Sequence, residues 1–531
     1  MLRKRFLVLL LLAAAVLVFA AIRLVPLPAS LQPPARHAVV VYGGGFAGCA
    51  AAYQAAAHLP PGSGGVLLIA PESALGSIGT VGGQNFFDLR YWRGQLATQG
   101  SFARWFGAFG QGYPTQAMAA LLHAELRAQS VPVLLAHEIE AVHLDASGRN
   151  IAALTVRPVT RHPDTLTVQW AGEPRRITGD VFIDASDTGR LARLAGVPLS
   201  PGRADWAADG HQQAATLMFQ VTGVDPQAAM AYRNPETGKP EFFYFQEADG
   251  SRLGWGGREF TRYDPVVAAY NAGDHRFTLK GYNIAEDTPG NWWLNILLIH
   301  EVNGMWTALD QDGGPAPAAA PAAALVEEGQ WSTNRAYREA RREIERPRFL
   351  AALRRFPGFE RAALVRGADG RPVVGEVLYL RETAHAVQAD GSFALSADAV
   401  RRAGDGPDSG ADRHLHPERV GLGLYYVDIN AYRKGEPVQT LETPANPHYI
   451  PYSALTTPAV ANLLLPGYPQ STSSEAWASM RVIPNLAVCG DAAGVAAAYS
   501  VAHRKPPGAL GLADIREVQR LLAAAGARLD K

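Results

Sequence analysis

The chain contains little cysteine and carries no net charge. Its 531 residues include two cysteines, Cys49 and Cys489. Two cysteines cannot by themselves ligate an iron–sulfur cluster or a structural zinc ion, and no Cys-x-x-Cys pair is present for dithiol exchange. Lys plus Arg and Asp plus Glu number 49 each, so no net field attracts nucleic acid as a partner. Any redox chemistry therefore requires an organic cofactor.

An apolar run stands close to the N-terminus. Arg3, Lys4 and Arg5 precede apolar residues 6–22, a pattern typical of export signals and membrane anchors. The run is long for a cleaved signal and short for a spanning helix, so both remain open, as does a hydrophobic helix of the fold itself. We expect residues 1–36 to be a signal peptide or membrane anchor plus linker. The protein is then extracytoplasmic, periplasmic or secreted, and is tethered to the membrane if the segment is not cleaved.

The stretch HAVVVYGGGFAGCAAAY predicts a strand, a glycine turn and a helix of small residues. Gly43, Gly45 and Gly48 fit the G-x-G-x-x-G spacing of dinucleotide-binding turns. The first glycine permits the turn, the second lets a pyrophosphate approach the backbone, and the third lets helix and sheet pack closely. We predict a helix over about 47–57 and a second strand over 65–70. The alternative is a tight strand–helix turn that binds nothing.

The acid expected at the end of the second strand is missing. Dinucleotide sites usually place Asp or Glu there to bind the ribose hydroxyls, whereas this chain has Ala70. Glu72 lies two residues later and is our candidate for that contact. Otherwise backbone groups and water must hold the ribose.

A second glycine-containing motif occurs near the C-terminus. The stretch PNLAVCGDAAGVAAAYSV predicts a strand, a Gly-Asp turn and another small-residue helix. We expect Gly490, Asp491 and Gly494 to bind the same cofactor, with Asp491 accepting hydrogen bonds from its ribityl or ribose hydroxyls. The alternative is an ordinary strand–helix turn in which Asp491 caps the helix.

Four motifs together resemble a known family. The motifs GGGFAG, LGSIGTVGGQNFFD, DVFIDASDTGRLARLAGVP and STSSEAWASMRVIPNLAVCGDAAG resemble FAD-dependent oxidoreductases of the FAD_oxidored type, distant relatives of glutathione-reductase-like flavoproteins. The resemblance implies an α/β fold: a Rossmann-like, glutathione-reductase-like FAD-binding domain with an inserted α+β substrate domain. The FAD-binding domain comprises residues 37–195 and 446–531, and the substrate domain residues 196–445. By the same resemblance, Gly76, Gly82 and Gly83 bring backbone close to the flavin.

Three side chains are candidates for catalysis. Arg381 lies in LYLRETAHAVQ, which resembles the family's Arg-Glu-Thr segment, and Arg481 matches its Arg-x-x-Pro. Interdomain ion pairing and domain packing are the alternatives for these two arginines. His448, in HYIPYSAL, is a candidate proton carrier or else a structural histidine. The loop STSSEAW lacks the histidine found in relatives and has Ser474 and Glu475 instead, which indicates an altered substrate.

These observations predict an FAD-dependent oxidoreductase that transfers a hydride between FAD and an unidentified small organic substrate. Its electron acceptor is unknown. The sequence has no second G-x-G-x-x-G unit, so we expect no separate NAD-binding domain. A flavin-bound lyase or isomerase and a non-catalytic FAD-fold binding protein are the alternatives. His414 and His416 lack a third convergent ligand, so we predict no metal site. The aromatic stretches EFFYF and NWWLN are expected to be core strands of the inserted domain.

Overall fold

A computed structural model describes most of the chain. The described residues are 35–162, 165, 167–246, 250, 252–307, 309, 329–402, 415–436 and 446–531. Residues 1–34 of the predicted export segment lie outside them, as does His414.

The strands form two large sheets and several short pairs. In chain order they are β1 Ala35–Tyr42, β2 Val66–Ile69, β3 Tyr91–Trp92, β4 Gln95–Leu96, β5 Val133–Leu134, β6 His137–Leu144, β7 Ile151–Arg161, β8 Val168–Trp170, β9 Arg175–Asp184, β10 Leu199–Pro201, β11 Ala215–Thr216, β12 Phe219–Thr222, β13 Phe242–Gln246, β14 Arg252–Gly256, β15 Phe277–Thr288, β16 Asn291–Ile299, β17 Val302–Asn303, β18 Trp331–Ser332, β19 Ala363–Leu364, β20 Ala384–Ala386, β21 Arg419–Gly423, β22 His448–Pro451 and β23 Leu463–Leu464.

The helices cover the faces of these sheets. In chain order they are α1 Phe46–His58, α2 Ser101–Phe109, α3 Thr115–Ala128, α4 Arg190–Leu194, α5 Pro226–Ala231, α6 Phe260–Tyr263, α7 Pro265–Ala272, α8 Thr333–Ile344, α9 Pro347–Leu353, α10 Ala397–Arg402, α11 Ser474–Met480, α12 Ile483–His503 and α13 Leu512–Ala524.

The first sheet combines parallel strands with an antiparallel meander. Its order is β5-β2-β1-β9-β7-β6, with β23 beside β9 and β8 beside β7. β5, β2, β1, β9 and β23 run parallel, so their carboxyl ends meet at one edge. The meander β6-β7-β8 is antiparallel, as the alternating pattern of the sequence predicts. The edge formed by the parallel strands is where open α/β sheets bind ligands.

Residues 38–42 of strand β1 are buried on both faces, which is why they form an unbroken apolar run. Val39 and Val41 pack with the helical side that contains α1 and α12. Val40 and Tyr42 pack on the other side, with residues of the meander such as Ile139. Alternation along the strand thus supplies both layers of the core.

The second sheet is antiparallel and comes from the middle of the chain. Its order is β13-β14-β15-β16-β12-β19, with β11 also paired to β16. Both aromatic stretches lie in it: NWWLN is a buried strand, as predicted, whereas EFFYF lies in the edge strand β13, where Phe243 and Phe245 are exposed, so it is not a core strand. Leu294 packs with the main core, which includes Phe349 of α9. Trp293, on the opposite face, packs with Ile78 beside the glycine turn. The sheet therefore covers the ligand-binding edge of the first sheet.

The prediction of a strand before the Gly490-Asp491 turn is wrong. Residues Ile483–His503 form a single helix with Pro at its beginning, a position that proline favours. The returning strand is β23, about twenty residues earlier, which pairs with β9 through Leu463 and Phe182. Helix α12 is long and apolar enough to span a membrane, but most of it is buried inside the protein.

Candidate active site

The three glycines of the first turn have three different surroundings. Gly43 has φ +107°, and an added Cβ would lie 2.6 Å from the Ala185 carbonyl carbon. A Cβ at Gly48 would overlap the Gly43 carbonyl oxygen, whereas one at Gly45 would meet only the Ser77 Cβ, at 3.7 Å. Gly43 and Gly48 therefore allow the chain to pack on itself, and Gly45 leaves its side open. The first backbone N–H groups of α1 follow Gly45 and have no acceptor within the helix.

Glu72 lies beside this turn with one oxygen unsatisfied. Its Oε1 accepts a hydrogen bond from Ser77 at 3.0 Å. Its Oε2 is buried without a hydrogen-bond partner among the described residues, and it lies 3.5 Å from where a Cβ of Gly44 would stand. Burial, and then the charges of Asp187 and Glu376, raise the pKa of Glu72 to about 8. The carboxyl group thus faces the glycine turn and is available to a ligand.

Two further carboxyl groups lie at the end of β9, the buried Asp184 and the half-buried Asp187. Asp184 accepts hydrogen bonds from the N–H groups of Ser186 and Ala192, and burial raises its pKa to about 6. Burial and the charge of Asp184 raise the pKa of Asp187 to about 7. Near neutral pH these groups carry less negative charge than exposed carboxylates would, which reduces repulsion of an anionic ligand.

Two cavities begin at this edge of the sheet and share Asp187. The turn cavity is lined by Gly45, Phe46, Ala47, Ile78, Gln84, Asp88, Ala185, Asp187, Tyr379, Gly467, Tyr468, Arg481, Ile483 and Leu486. The acid cavity, of about 130 Å³, includes Tyr42, Glu72, Glu138 and Asp187 in its wall and reaches Tyr337 of α8. Together they run from the end of β2, past the glycine turn, to the beginning of α12. This path suits an elongated ligand that carries phosphates at its middle.

A family model described as FAD dependent oxidoreductase matches residues 38–522. The chain belongs to this family. FAD is therefore its cofactor, and the suspected resemblance is confirmed. Comparison with curated proteins finds no match.

Solved structures show only distant likeness. A geranylgeranyl bacteriochlorophyll reductase-like protein from Thermoplasma acidophilum is 10% identical over 93% of this chain and 84% of its own, with a TM-score of 0.38. A myxobacterial chondrochloren halogenase is 12% identical over 66% of this chain and 65% of its own, with a TM-score of 0.33. Anhydrotetracycline hydroxylase from Streptomyces rimosus is 12% identical over 66% of this chain and 54% of its own, with a TM-score of 0.30. The assignment rests on the family model, since these scores are too low to carry an argument.

The residues at the edge of the sheet fit FAD. The open side of Gly45 and the N-terminus of α1 would hold the diphosphate. The unsatisfied Oε2 of Glu72 would accept hydrogen bonds from the ribose hydroxyls. Arg481 and Ile483 line the far end of the turn cavity, and the Nε of Arg481 is buried without a partner among the described residues. That end would hold the flavin ring.

The roles predicted for Gly490, Asp491 and Gly494 are contradicted. All three lie inside α12 rather than at its beginning. A Cβ at Gly490 would overlap the Ala47 carbonyl oxygen, and one at Gly494 that of Ala51. These glycines therefore let α12 pack closely on α1.

Asp491 is also fully occupied by protein groups. Its Oδ2 accepts from the Ser101 N–H at 2.8 Å, at the beginning of α2. Its Oδ1 accepts from Gln54 at 3.1 Å and from the Ser101 hydroxyl. Only 2% of the residue is exposed. Asp491 joins three helices and has no hydrogen-bonding capacity directed at the cofactor.

Of the three glycines predicted to lie close to the flavin, Gly76 lies beside the glycine turn and the other two do not. Gly76 lies beside the turn, where it bridges Gly45 and its N–H donates to the Gly44 carbonyl at 2.8 Å. Gly82 and Gly83 are close to the inserted domain instead. A Cβ at Gly83 would lie 2.5 Å from the Trp293 ring, and a Cβ at Gly375 would overlap the Gly82 carbonyl oxygen. Gly83 and Gly375 therefore allow the inserted segment to close over the site, whereas Gly82 packs against Ile78 in its own turn.

The two predicted arginines lie together on either side of Tyr379. Arg481 lines the turn cavity, pairs with Asp428 at 2.5 Å and donates to the Tyr379 hydroxyl at 2.7 Å. Arg381 is 1% exposed and lies over the Tyr379 ring at 4.8 Å. It donates to the Asn295 side chain at 3.0 Å and to the Ala214 carbonyl at 2.6 Å. Arg381 forms no ion pair with the described residues, so its predicted alternative of an interdomain ion pair finds no support there.

His448 is not brought to either cavity. It is 2% exposed, and its Nε2 lies 3.1 Å from the Met480 sulfur. Burial, with a contribution from Lys531, lowers the pKa of His448 to about 3. A histidine that is neutral throughout the physiological range and packed against methionine does not carry protons for this site.

Several site residues were missed from the sequence. They are Gln84, Asp88, Lys280, Asn295, Tyr379, Tyr425 and Asp428. The Tyr425 hydroxyl donates to Asp88 at 3.2 Å, and Asn295 donates to Gln84 at 3.0 Å. Gln84 and Asp88 fall within the motif LGSIGTVGGQNFFD, which was a usable signal. The others come from the inserted domain, and no local pattern marks them.

Proposed function

We propose that the protein is an FAD-dependent oxidoreductase that oxidises or reduces a small organic anion bound between the turn cavity and the second sheet. Bound FAD supplies the site that takes or gives the hydride. The chain supplies the clamp for the anion and the groups that move protons.

Arg381 is the observation that carries this proposal. A buried guanidinium without an ion pair is costly unless a ligand supplies the opposite charge. Burial lowers the pKa of Arg381 to about 10, which leaves it charged at neutral pH. Its planar fork matches a carboxylate or an enolate. The neighbouring Arg481 already pairs with Asp428, whereas Arg381 has no ion-pair partner among the described residues and is therefore our candidate for the clamp.

The remaining polar groups orient the substrate and keep the clamp in place. The Asn295 side-chain oxygen accepts a hydrogen bond from one Arg381 nitrogen, and the Asn295 amide nitrogen donates to Gln84. The indole of Trp477 donates to the Arg381 carbonyl at 2.8 Å. The guanidinium is thus fixed before substrate arrives, which reduces the entropy lost on binding.

We further propose the domain division that the sequence predicts, with a glutathione-reductase-like FAD domain formed by 37–195 and 446–531. Supporting it, parallel strands β1, β2, β5, β9 and β23 come from both parts of the chain, with the meander between β5 and β9. The antiparallel sheet comes wholly from the segment 196–445.

Export of the protein, with residues 1–36 as cleaved signal or membrane tether, stays a proposal supported by the sequence pattern. Fractionation of cells that express the full chain tests it, because a cytoplasmic location would contradict it. N-terminal sequencing of the exported protein distinguishes cleavage from anchoring.

The function is tested by the visible spectrum of the purified protein during anaerobic addition of small carboxylates. We expect bound FAD, released on denaturation, and loss of its oxidised absorption band with one class of 2-hydroxy or 2-amino carboxylate. Arg381→Met should raise the KM for that substrate strongly, while Arg342→Met, at an exposed arginine of α8, should not. A substrate that is converted while the flavin stays oxidised throughout turnover would establish a lyase or isomerase instead. FAD that binds without any turnover would support the non-catalytic alternative.

A further inference from the structure

Lys280 lies at an irregular point of the second sheet. Strand β15 pairs with β16 through Leu279 and Leu297, and again through Asn283 and Asn295, but the register shifts between these pairs. Such a bulge bends the strand and redirects side chains, and bulges are common beside active sites. The strand neighbour Asn295 already faces Arg381.

The charged residues that act on Lys280 come from several separate segments of the chain. Those that act on its charge are Arg381, Asp428, Arg481 and Asp88. Arg481 and Asp88 line the turn cavity together with Gly45 and Ile483. Lys280 therefore lies near charged groups of the turn cavity, although it lines neither cavity itself.

The Nζ of Lys280 makes no hydrogen bond or ion pair with the described residues, and the side chain remains partly exposed. Burial of its surroundings, then the charge of Arg381, lowers the pKa of Lys280 to about 7, although Asp428 and Asp88 oppose the shift. An amine of this kind is neutral in a large fraction of molecules near neutral pH and accepts protons.

The choice of lysine at this position is informative. The chain has 43 arginines and six lysines, so arginine is its usual cation. Arginine cannot release its proton under physiological conditions, whereas a buried lysine can. A position that needed only positive charge could have used arginine.

We propose that Lys280 is a catalytic residue, the proton acceptor for oxidation of an anionic substrate that carries a hydroxyl or amino group; this rests on the proposed function. Arg381 holds the carboxylate of the substrate. The O–H or N–H proton of the substrate passes to Nζ as the hydride of the adjacent carbon passes to FAD, the oxidant. The C–H and O–H (or N–H) bonds break, a C=O or C=N double bond forms, and the substrate loses two electrons.

The amine can be examined in the holoenzyme without a known substrate. Reductive methylation with ¹³C-formaldehyde labels amines, and the few lysines of this chain give few resonances. We expect one resonance that is lost in Lys280→Arg and that titrates near pH 7. The control Lys239→Arg, at an exposed lysine, should remove a different resonance and leave this one unchanged. A Lys280 resonance that titrates near 10, or the absence of a labelled Lys280 amine, would overturn the proposal.

Kinetics then separate the proposal from the function on which it rests. With any carboxylate that reduces the flavin, wild-type flavin reduction should accelerate as pH rises through 7. Lys280→Met should still bind FAD, which its visible spectrum would check. Reduction of the flavin should be about 100- to 10,000-fold slower in this variant and should lose the pH dependence. Lys280→Arg should be equally slow. Rapid reduction in both variants would overturn the role of Lys280 and leave the oxidoreductase intact; failure of every substrate in wild type would overturn the function itself.

Discussion

Two stretches of this chain look alike in sequence and differ in structure. HAVVVYGGGFAGCAAAY and PNLAVCGDAAGVAAAY both have an apolar run, glycines and then small residues. In the first, Gly43 adopts a positive φ, the strand ends and a helix begins. In the second, Gly490 and Gly494 are helical and the whole stretch is one helix. Moreover, the two helices pack against each other through these same glycines.

The difference shows that glycine in such a motif has two separate uses. At Gly45 the missing side chain leaves space for a ligand, and at Gly490 it leaves space for a neighbouring helix. The buried acids divide in the same way: Glu72 keeps an oxygen for a ligand, whereas Asp491 gives both oxygens to the protein. Substitutions at these four residues should therefore separate stability from FAD binding.

The largest effect is expected for Gly490→Ala. The new methyl group would overlap the Ala47 carbonyl oxygen and force α1 and α12 apart. We expect the free energy of unfolding of the apoprotein to fall by about 2–3 kcal/mol, since overpacking outweighs the higher helix propensity of alanine. Urea denaturation measures it. In the control Gly107→Ala, where the added Cβ meets nothing within 4 Å, stability should not fall. Equal results for both variants would contradict close packing at Gly490.

Asp491→Asn should cost about 1–3 kcal/mol. The amide of asparagine would turn its NH₂ towards the Ser101 N–H or the Gln54 side chain, both of which are donors. Thermal unfolding measures the loss, and the affinity of the folded protein for FAD should stay unchanged. A variant that is fully stable but binds FAD weakly would restore the predicted cofactor role of Asp491.

Gly45→Ala should show the opposite behaviour. The apoprotein should lose less than about 1 kcal/mol, because the methyl group enters open space at the N-terminus of α1. The dissociation constant for FAD should rise about tenfold or more, equivalent to about 1.4 kcal/mol, since the methyl stands where the diphosphate approaches. Quenching of FAD fluorescence on titration into apoprotein gives this constant. Unchanged affinity would place the diphosphate elsewhere.

A last effect, on the pH dependence of stability, comes from Glu72. A folded-state pKa raised to about 8 means that the folded protein keeps a proton that the unfolded chain releases at about 4.5. The contribution of this proton to the free energy of unfolding is complete below pH 4.5 and is lost as the pH rises through 8. Glu72→Gln has no such loss, so the apoprotein variant should become steadily more stable relative to wild type from pH 5 to 8. A constant difference across that range would show that Glu72 has an ordinary pKa.

Sequence reasoning succeeded where local chemistry decides the structure. The turn at 43–48 follows from glycine spacing. Glu72 was placed beside the turn because it directly follows β2. The C-terminal motif was misread because an apolar run such as NLAVC fits a buried strand as well as a buried helix. Its conformation is decided by packing on α1, and the position of Lys280 by pairing of β15 with β16, neither of which is visible locally.

The contact between α1 and α12 also has a consequence for biosynthesis. Gln54 and Asp491, which hold these helices together, are 437 residues apart. At the usual speed of translation, roughly 20–90 s separate their emergence from the ribosome. During that interval the small apolar face of α1 is made but lacks its partner, a state prone to aggregation. Capture of FAD by a finished pocket is therefore among the last events in the life of the nascent chain, although its glycine turn is among the first parts to be made.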